Sequence, residues 1–163
     1  MHIKPIQKMR TIQNWLDEYS ESHQNPLNKT IHWICVPSIV FSIVLMLWSI
    51  PVPDWILKTG LNYAYLVMIL AVIYYALLSP TLAIGMALLF ALAGFIAQAI
   101  ALSTNYPLWG IGLILFVLAW IGQFYGHSVE GKKPSFLKDI QFLLIGPVWL
   151  LHFIYTRLGI KYN

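Results

Sequence analysis

The sequence predicts an all-α membrane protein: four transmembrane helices, an N-terminal amphipathic helix, and a broken C-terminal helix that is re-entrant or interfacial. Three observations predict it. Hydrophobic residues make up 59% of the 163 residues and charged residues 10%, with a mean hydropathy of +0.70; soluble domains carry about 25% charged residues. Five apolar segments follow one another, four of them near the ~20 residues a helix needs to cross the hydrocarbon core. The basic residues fall where one membrane face would collect them.

At the N-terminus, Ile6, Met9, Ile12, Leu16 and Tyr19 recur at helical spacing among polar residues. This is the pattern of a helix lying on a membrane surface or packed on the end of a bundle. The stretch MHIKPIQKMRTIQNWLDEYSESH has neither the apolar core nor the small-residue cleavage site of a signal peptide, so insertion is expected to be driven by the internal spans. Asn25-Pro26 reads as a helix N-cap followed by a first-turn proline.

The four spans are expected over 31–50, 62–78, 80–102 and 108–126. The links between the second and third (Ser79-Pro80) and between the third and fourth (STNYP) are so short that neighbours must pack antiparallel. Ala83, Ala87 and Ala91 form a small-residue row suited to close helix contact. The fifth segment, 140–155, is short and interrupted by Gly146-Pro147. The chain reads as a single integral membrane domain over 1–163: residues 1–30 form the N-terminal helix and turn, 31–126 the spans, 127–163 a loop and the last helix.

Lys4, Lys8, Arg10 and Lys29 precede the first span; Lys132, Lys133 and Lys138 follow the fourth; Arg157 and Lys161 lie beyond the fifth segment; only Lys58 falls elsewhere. With four spans, all basic residues but Lys58 share one face, which is then cytoplasmic, as are both termini. The compartment is a bacterial inner membrane or the endoplasmic reticulum. Trp48, Trp55 and Trp109 would line the opposite interface. The dispersed lysines make no nucleic-acid patch. The single cysteine, Cys35, permits neither an internal disulfide nor a thiolate cluster.

This topology gathers histidines. His23 and His32 precede and open the first span, and His127 ends the fourth, with Glu130 three residues on. His152 lies in the segment assigned to the same face. Ionisable groups at the membrane boundary are costly to keep and are functional candidates. On one unbroken helix His23 and His32 would point apart; the Asn-Pro break frees His23 to fold back. Asn28, one turn before His32, and Gln123, one turn before His127, are candidate supporting partners. Imidazole with carboxylate and no thiolate suits Fe(II), Mn or Zn.

The pattern H-x-x-P-x-N-x-x-x-H (His23, Pro26, Asn28, His32), then Pro37, resembles the opening motif of the yeast 2-hydroxy-fatty-acid dioxygenase family, long catalogued as a membrane domain of unknown function. A second pattern, Q-F-x-G-H-x-x-E-x-x-x-P (Gln123, Phe124, Gly126, His127, Glu130, Pro134), resembles its other signature, and IGPVWLL its C-terminal apolar segment. The resemblance implies an Fe(II)-dependent dioxygenase of fatty-acid α-oxidation. Such an enzyme converts a long-chain 2-hydroxy fatty acid and O₂ to an acid one carbon shorter, with release of CO₂. It makes His23, His32 and His127 the motif histidines, with Glu130 beside the third. Topology, rather than the resemblance, offers His152 beside Glu130 as a fourth ligand, and Lys132 or Lys133 would draw in the carboxylate. The competing reading is a small transporter or lipid-binding protein with a polar histidine gate. Against a transport path, Gln98 is almost alone as a polar group within spans two to four; against a haem or quinone bundle, those spans hold no histidine short of His127.

Overall fold

The computed structural model describes residues 10–137 and 140–162, so Ile6, Met9, Lys4, Lys8 and Lys138 of the readings above lie outside the described residues. Within them the chain is helical and has no strand. It forms α1 (Ile12–Ser20), α2 (Pro26–Trp48), a short α3 (Asp54–Leu57), α4 (Tyr63–Leu78), α5 (Pro80–Ser103), α6 (Leu108–Glu130) and α7 (Phe142–Leu158), with a 3-10 turn at Ser135–Leu137.

α2, α5 and α6 are long and apolar enough to cross a membrane. α4 is shorter, 16 residues, or about 24 Å at 1.5 Å per residue. Three candidate spans therefore stand where the sequence suggested four. The outer faces of α4 and α5 carry side chains such as Leu77, Leu88 and Leu102, which are 82%, 69% and 79% exposed. Surfaces this apolar belong against lipid or a partner.

α2 and α6 pack antiparallel along most of their length. Glycines make this possible: a Cβ at Gly112 would lie 2.8 Å from the Ser42 carbonyl oxygen, one at Gly122 2.6 Å from Cys35 Sγ, and one at Gly126 would collide with Asn28 Oδ1. The two backbones approach where side chains are absent, as in other close membrane helix pairs. On α5 the buried face is Leu82, Ala83, Met86, Phe90, Gly94 and Ala97, whereas Ala91 is exposed. An i, i+4 row drifts about 40° per step around a 3.6-residue helix, which carries Ala91 off the contact that Ala83 makes.

α1 begins in a capping box: the Thr11 hydroxyl accepts the Asn14 N–H while Asn14 Oδ1 accepts the Thr11 N–H. Its apolar residues Ile12, Trp15, Leu16 and Tyr19 are buried. Trp15 meets Phe142 edge-on at 5.3 Å and Tyr19 lies 5.3 Å from Trp149. Of the two readings of this helix, packing on the bundle is the one found.

The expected break at Gly146-Pro147 is corrected: α7 runs unbroken through it. Proline lacks an N–H and leaves the Leu143 carbonyl without its intrahelical donor, yet the helix continues with Ile145 to Leu151 all buried; the Tyr75 hydroxyl donates to the next carbonyl, Leu144 O, at 2.8 Å. Gly146 serves approach, since a Cβ there would lie 3.0 Å from the Tyr19 hydroxyl and 3.6 Å from Val36. The far end of α7 is pinned to the α4–α5 junction, where the Tyr155 hydroxyl donates to Thr81 O at 3.0 Å and Ser79 Oγ to Tyr162 O.

Candidate metal centre

The α1–α2 turn forms as Asn25-Pro26 foretold. Asn25 caps α2 by accepting the Leu27 N–H, with Pro26 in the first turn. His23 sits just before this break and His32 two turns into α2. Both rings are fully buried, and His127, from the end of α6, is 5% exposed. One ligand atom from each of the three lies within 4.8 Å of the others, an arrangement that can hold a metal ion. The rings stand edge to face, at interplanar angles of 79°, 72° and 88°.

The proton positions follow from the partners. His23 Nδ1 meets Tyr19 O at 2.5 Å and His32 Nδ1 meets Asn28 O at 2.9 Å. A carbonyl only accepts, so each Nδ1 carries the proton and each Nε2 presents a lone pair. Those two Nε2 atoms face one another at 2.9 Å. Two lone pairs at that range repel unless a cation lies between them. A proton is a poor candidate, because burial first, and the neighbouring His32 ring second, push the His23 imidazole down to about 3. A divalent metal meets the need: with metal–nitrogen bonds of about 2.1 Å, ligands at right angles would lie about 3.0 Å apart. His127 Nδ1 is buried with no protein partner, a further lone pair or N–H awaiting one.

The other sequence candidates sort themselves around this group. Asn28 supplies the carbonyl that fixes His32, and its amide donates to Ser22 O at 3.2 Å and Glu130 Oε2 at 3.0 Å. Gln123 is buried and within hydrogen-bonding reach of His32. Glu130 accepts the backbone N–H groups of Gln24 and Asn25, each at 2.8 Å, so its carboxylate clamps the turn that carries His23. Lys132 Nζ is engaged with Glu21 O at 2.5 Å. His152 is not brought to the three histidines; its half-buried ring bonds the Tyr162 hydroxyl through Nδ1.

The chain matches the family model described as 2-hydroxy-palmitic acid dioxygenase Mpo1-like over residues 9–158. The chain belongs to this Mpo1-like family. It is 31% identical over 151 residues to 2-hydroxy-palmitic acid dioxygenase MPO1 of Saccharomyces cerevisiae, a match that covers 91% of this chain and 82% of that protein. No solved structure matches the chain. Both family motifs quoted above converge on the buried triad. Two residues that sequence reasoning passed over complete its wall: Tyr19 stacks on the His23 ring at 4.1 Å, and Trp149 lies 5.1 Å from it with Nε1 donating to Ser20 Oγ at 2.7 Å. Tyr19 stands four residues before His23 and was legible as a helical neighbour; Trp149, distant in sequence, carried no such signal.

Proposed function

We propose that this Mpo1-like protein is an Fe(II)-dependent dioxygenase of 2-hydroxy fatty acids. It converts the acid and O₂ to the acid one carbon shorter, CO₂ and water. The observation that carries the reading is the pair of unprotonated Nε2 atoms of His23 and His32 facing each other at 2.9 Å with His127 beside them; the yeast relative's name supplies the reaction.

His23, His32 and His127 hold the metal. Iron(II) bound there would supply the electrons that make O₂ reactive toward the substrate. Tyr19 O and Asn28 O hold two of the rings in one tautomer, Gln123 steadies His32, and Glu130 fixes the turn. Outer partners of this kind are worth ten- to a hundredfold in metal affinity. The Tyr19 and Trp149 rings keep water from that side of the triad. An apolar groove of about 280 Å³ between α2, α5 and α7, lined by Val36, Phe41, Phe90, Pro147 and Leu151 among others, takes the acyl tail, at about 0.8 kcal/mol per buried CH₂. In the topology that goes with this reading, α2, α4, α5 and α6 all span an inner or endoplasmic-reticulum membrane. The triad and both termini then lie at the cytoplasmic face, where Lys29, Lys132 and Arg157 are found.

The test is metal analysis of the purified protein beside His23→Ala, His32→Ala and His127→Ala, with O₂ uptake on 2-hydroxypalmitate. Iron bound by the wild type and lost in all three variants is expected. Full stoichiometry in the variants, or no O₂ uptake by iron-replete reduced protein, would overturn the reading.

A further inference from the structure

A second cavity, of about 40 Å³, opens beside the triad, with His127 and Gln123 in its wall. By volume it has room for about three water-sized groups. Trp120 and Ser135 line it as well, and both Trp120 Nε1 and Ser135 Oγ are buried without a hydrogen-bond partner. Ser135 is 4% exposed. Tyr19 also reaches it, and the rest of the lining is apolar, chiefly Val36, Val40, Phe136 and Phe142.

Unpaired buried donors are costly and uncommon in native proteins. Here the two residues that carry them, from α6 and from the 3-10 turn, line one cavity next to the proposed metal site. An indole N–H can only donate, so whatever fills the cavity must accept. A carboxylate offers acceptors alone and fits the volume. Trp120 is held in place by ring contacts with Phe116, Phe124 and Phe136 at 4.7 to 6.0 Å, which presents the N–H on a rigid support. Val36 and Val40 also line the large apolar groove, so an acid seated by its head in the small cavity lies one side-chain layer from the compartment for a tail.

We infer that Trp120 and Ser135 form the carboxylate subsite of this protein, donating to the substrate acid while the triad stands beside it. The inference rests on the fatty-acid reading above and names residues outside the two motifs. The carboxylate's charge makes both hydrogen bonds charge-assisted, and burial strengthens them.

The experiment measures binding of 2-hydroxyhexadecanoate and of its methyl ester to chelator-treated protein in nanodiscs, for the wild type, Trp120→Phe and Ser135→Ala. The wild type should bind the acid more tightly than the ester, and each variant should lose about tenfold in acid affinity with the ester unchanged. Trp120→Phe keeps the ring packing, and either variant alone decides the matter if the other fails to fold. Acid affinity unchanged in the folded variants, or no preference for acid over ester in the wild type, would overturn the subsite and leave the cavity to water. Metal content and O₂ uptake read the oxygenase proposal separately. A metal-free, inactive wild type that still prefers the acid would sink the oxygenase and leave the subsite standing.

Discussion

Glu130 Oε2 accepts the backbone N–H of Asn25 at 2.8 Å, across 105 residues of sequence. The end of α6 thereby holds the turn between α1 and α2, and with it the approach of His23 to His32. This contact separates two roles for the carboxylate. If Glu130 positions the turn, Glu130→Ala should weaken metal binding by about ten- to a hundredfold while Glu130→Gln, which keeps one acceptor oxygen, falls between. If it were itself a ligand, Glu130→Gln would be as damaging as His127→Ala. Metal titration of the three variants distinguishes the cases.

His152 gives the complementary prediction. Its Nδ1 is engaged with the Tyr162 hydroxyl, away from the triad. His152→Ala should therefore retain the metal stoichiometry of the wild type. Loss of the metal in that variant, as measured by elemental analysis, would place His152 among the ligands.

Acid should destabilise the metal-free protein through His23. The imidazole is held near 3 by burial, against about 6.5 in an unfolded chain. The unfolded state therefore binds the proton first. Stability is full above about pH 6.5 and falls as the pH drops toward 3, by up to about 1.4 kcal/mol per pH unit for one such group. Thermal midpoints of the metal-free protein between pH 7 and pH 5 should decline, and His23→Gln should flatten the decline. A midpoint independent of pH in the wild type would contradict the burial described.

The glycine seam between α2 and α6 predicts a steric effect. Gly112→Ala places a methyl 2.8 Å from a main-chain oxygen that cannot rotate away, and overpacking of this kind costs about 1–3 kcal/mol. Gly110→Ala, whose nearest neighbour would be Pro107 at 3.7 Å, should be tolerated. Thermal unfolding in detergent reads both.

Much of the site was legible because its signals are local. Asn25 and Pro26 announce a helix start, and once that break is granted, His23 and His32 are free to converge. His127 reaches them because the short links force antiparallel neighbours. The Gly146-Pro147 pair misled because proline reads as a breaker in isolation, whereas tertiary packing buries the whole stretch from Ile145 to Leu151 and keeps it helical. His152 looked like a ligand because depth in the membrane says nothing about the side of a helix. Trp120 and Ser135 carry no local signal in the sequence; only the fold shows both residues lining one cavity.

The glycines of α6 also set an order of events. The chain delivers His23 and His32 to the membrane long before α6 exists, and two imidazoles alone make a weak clasp for a divalent ion. The third arrives only when α6 has slid into register against α2 on Gly112, Gly122 and Gly126. If the triad holds a metal as proposed, loading waits until the last long helix is seated, and the ion would be a seal on a completed assembly rather than a seed for it.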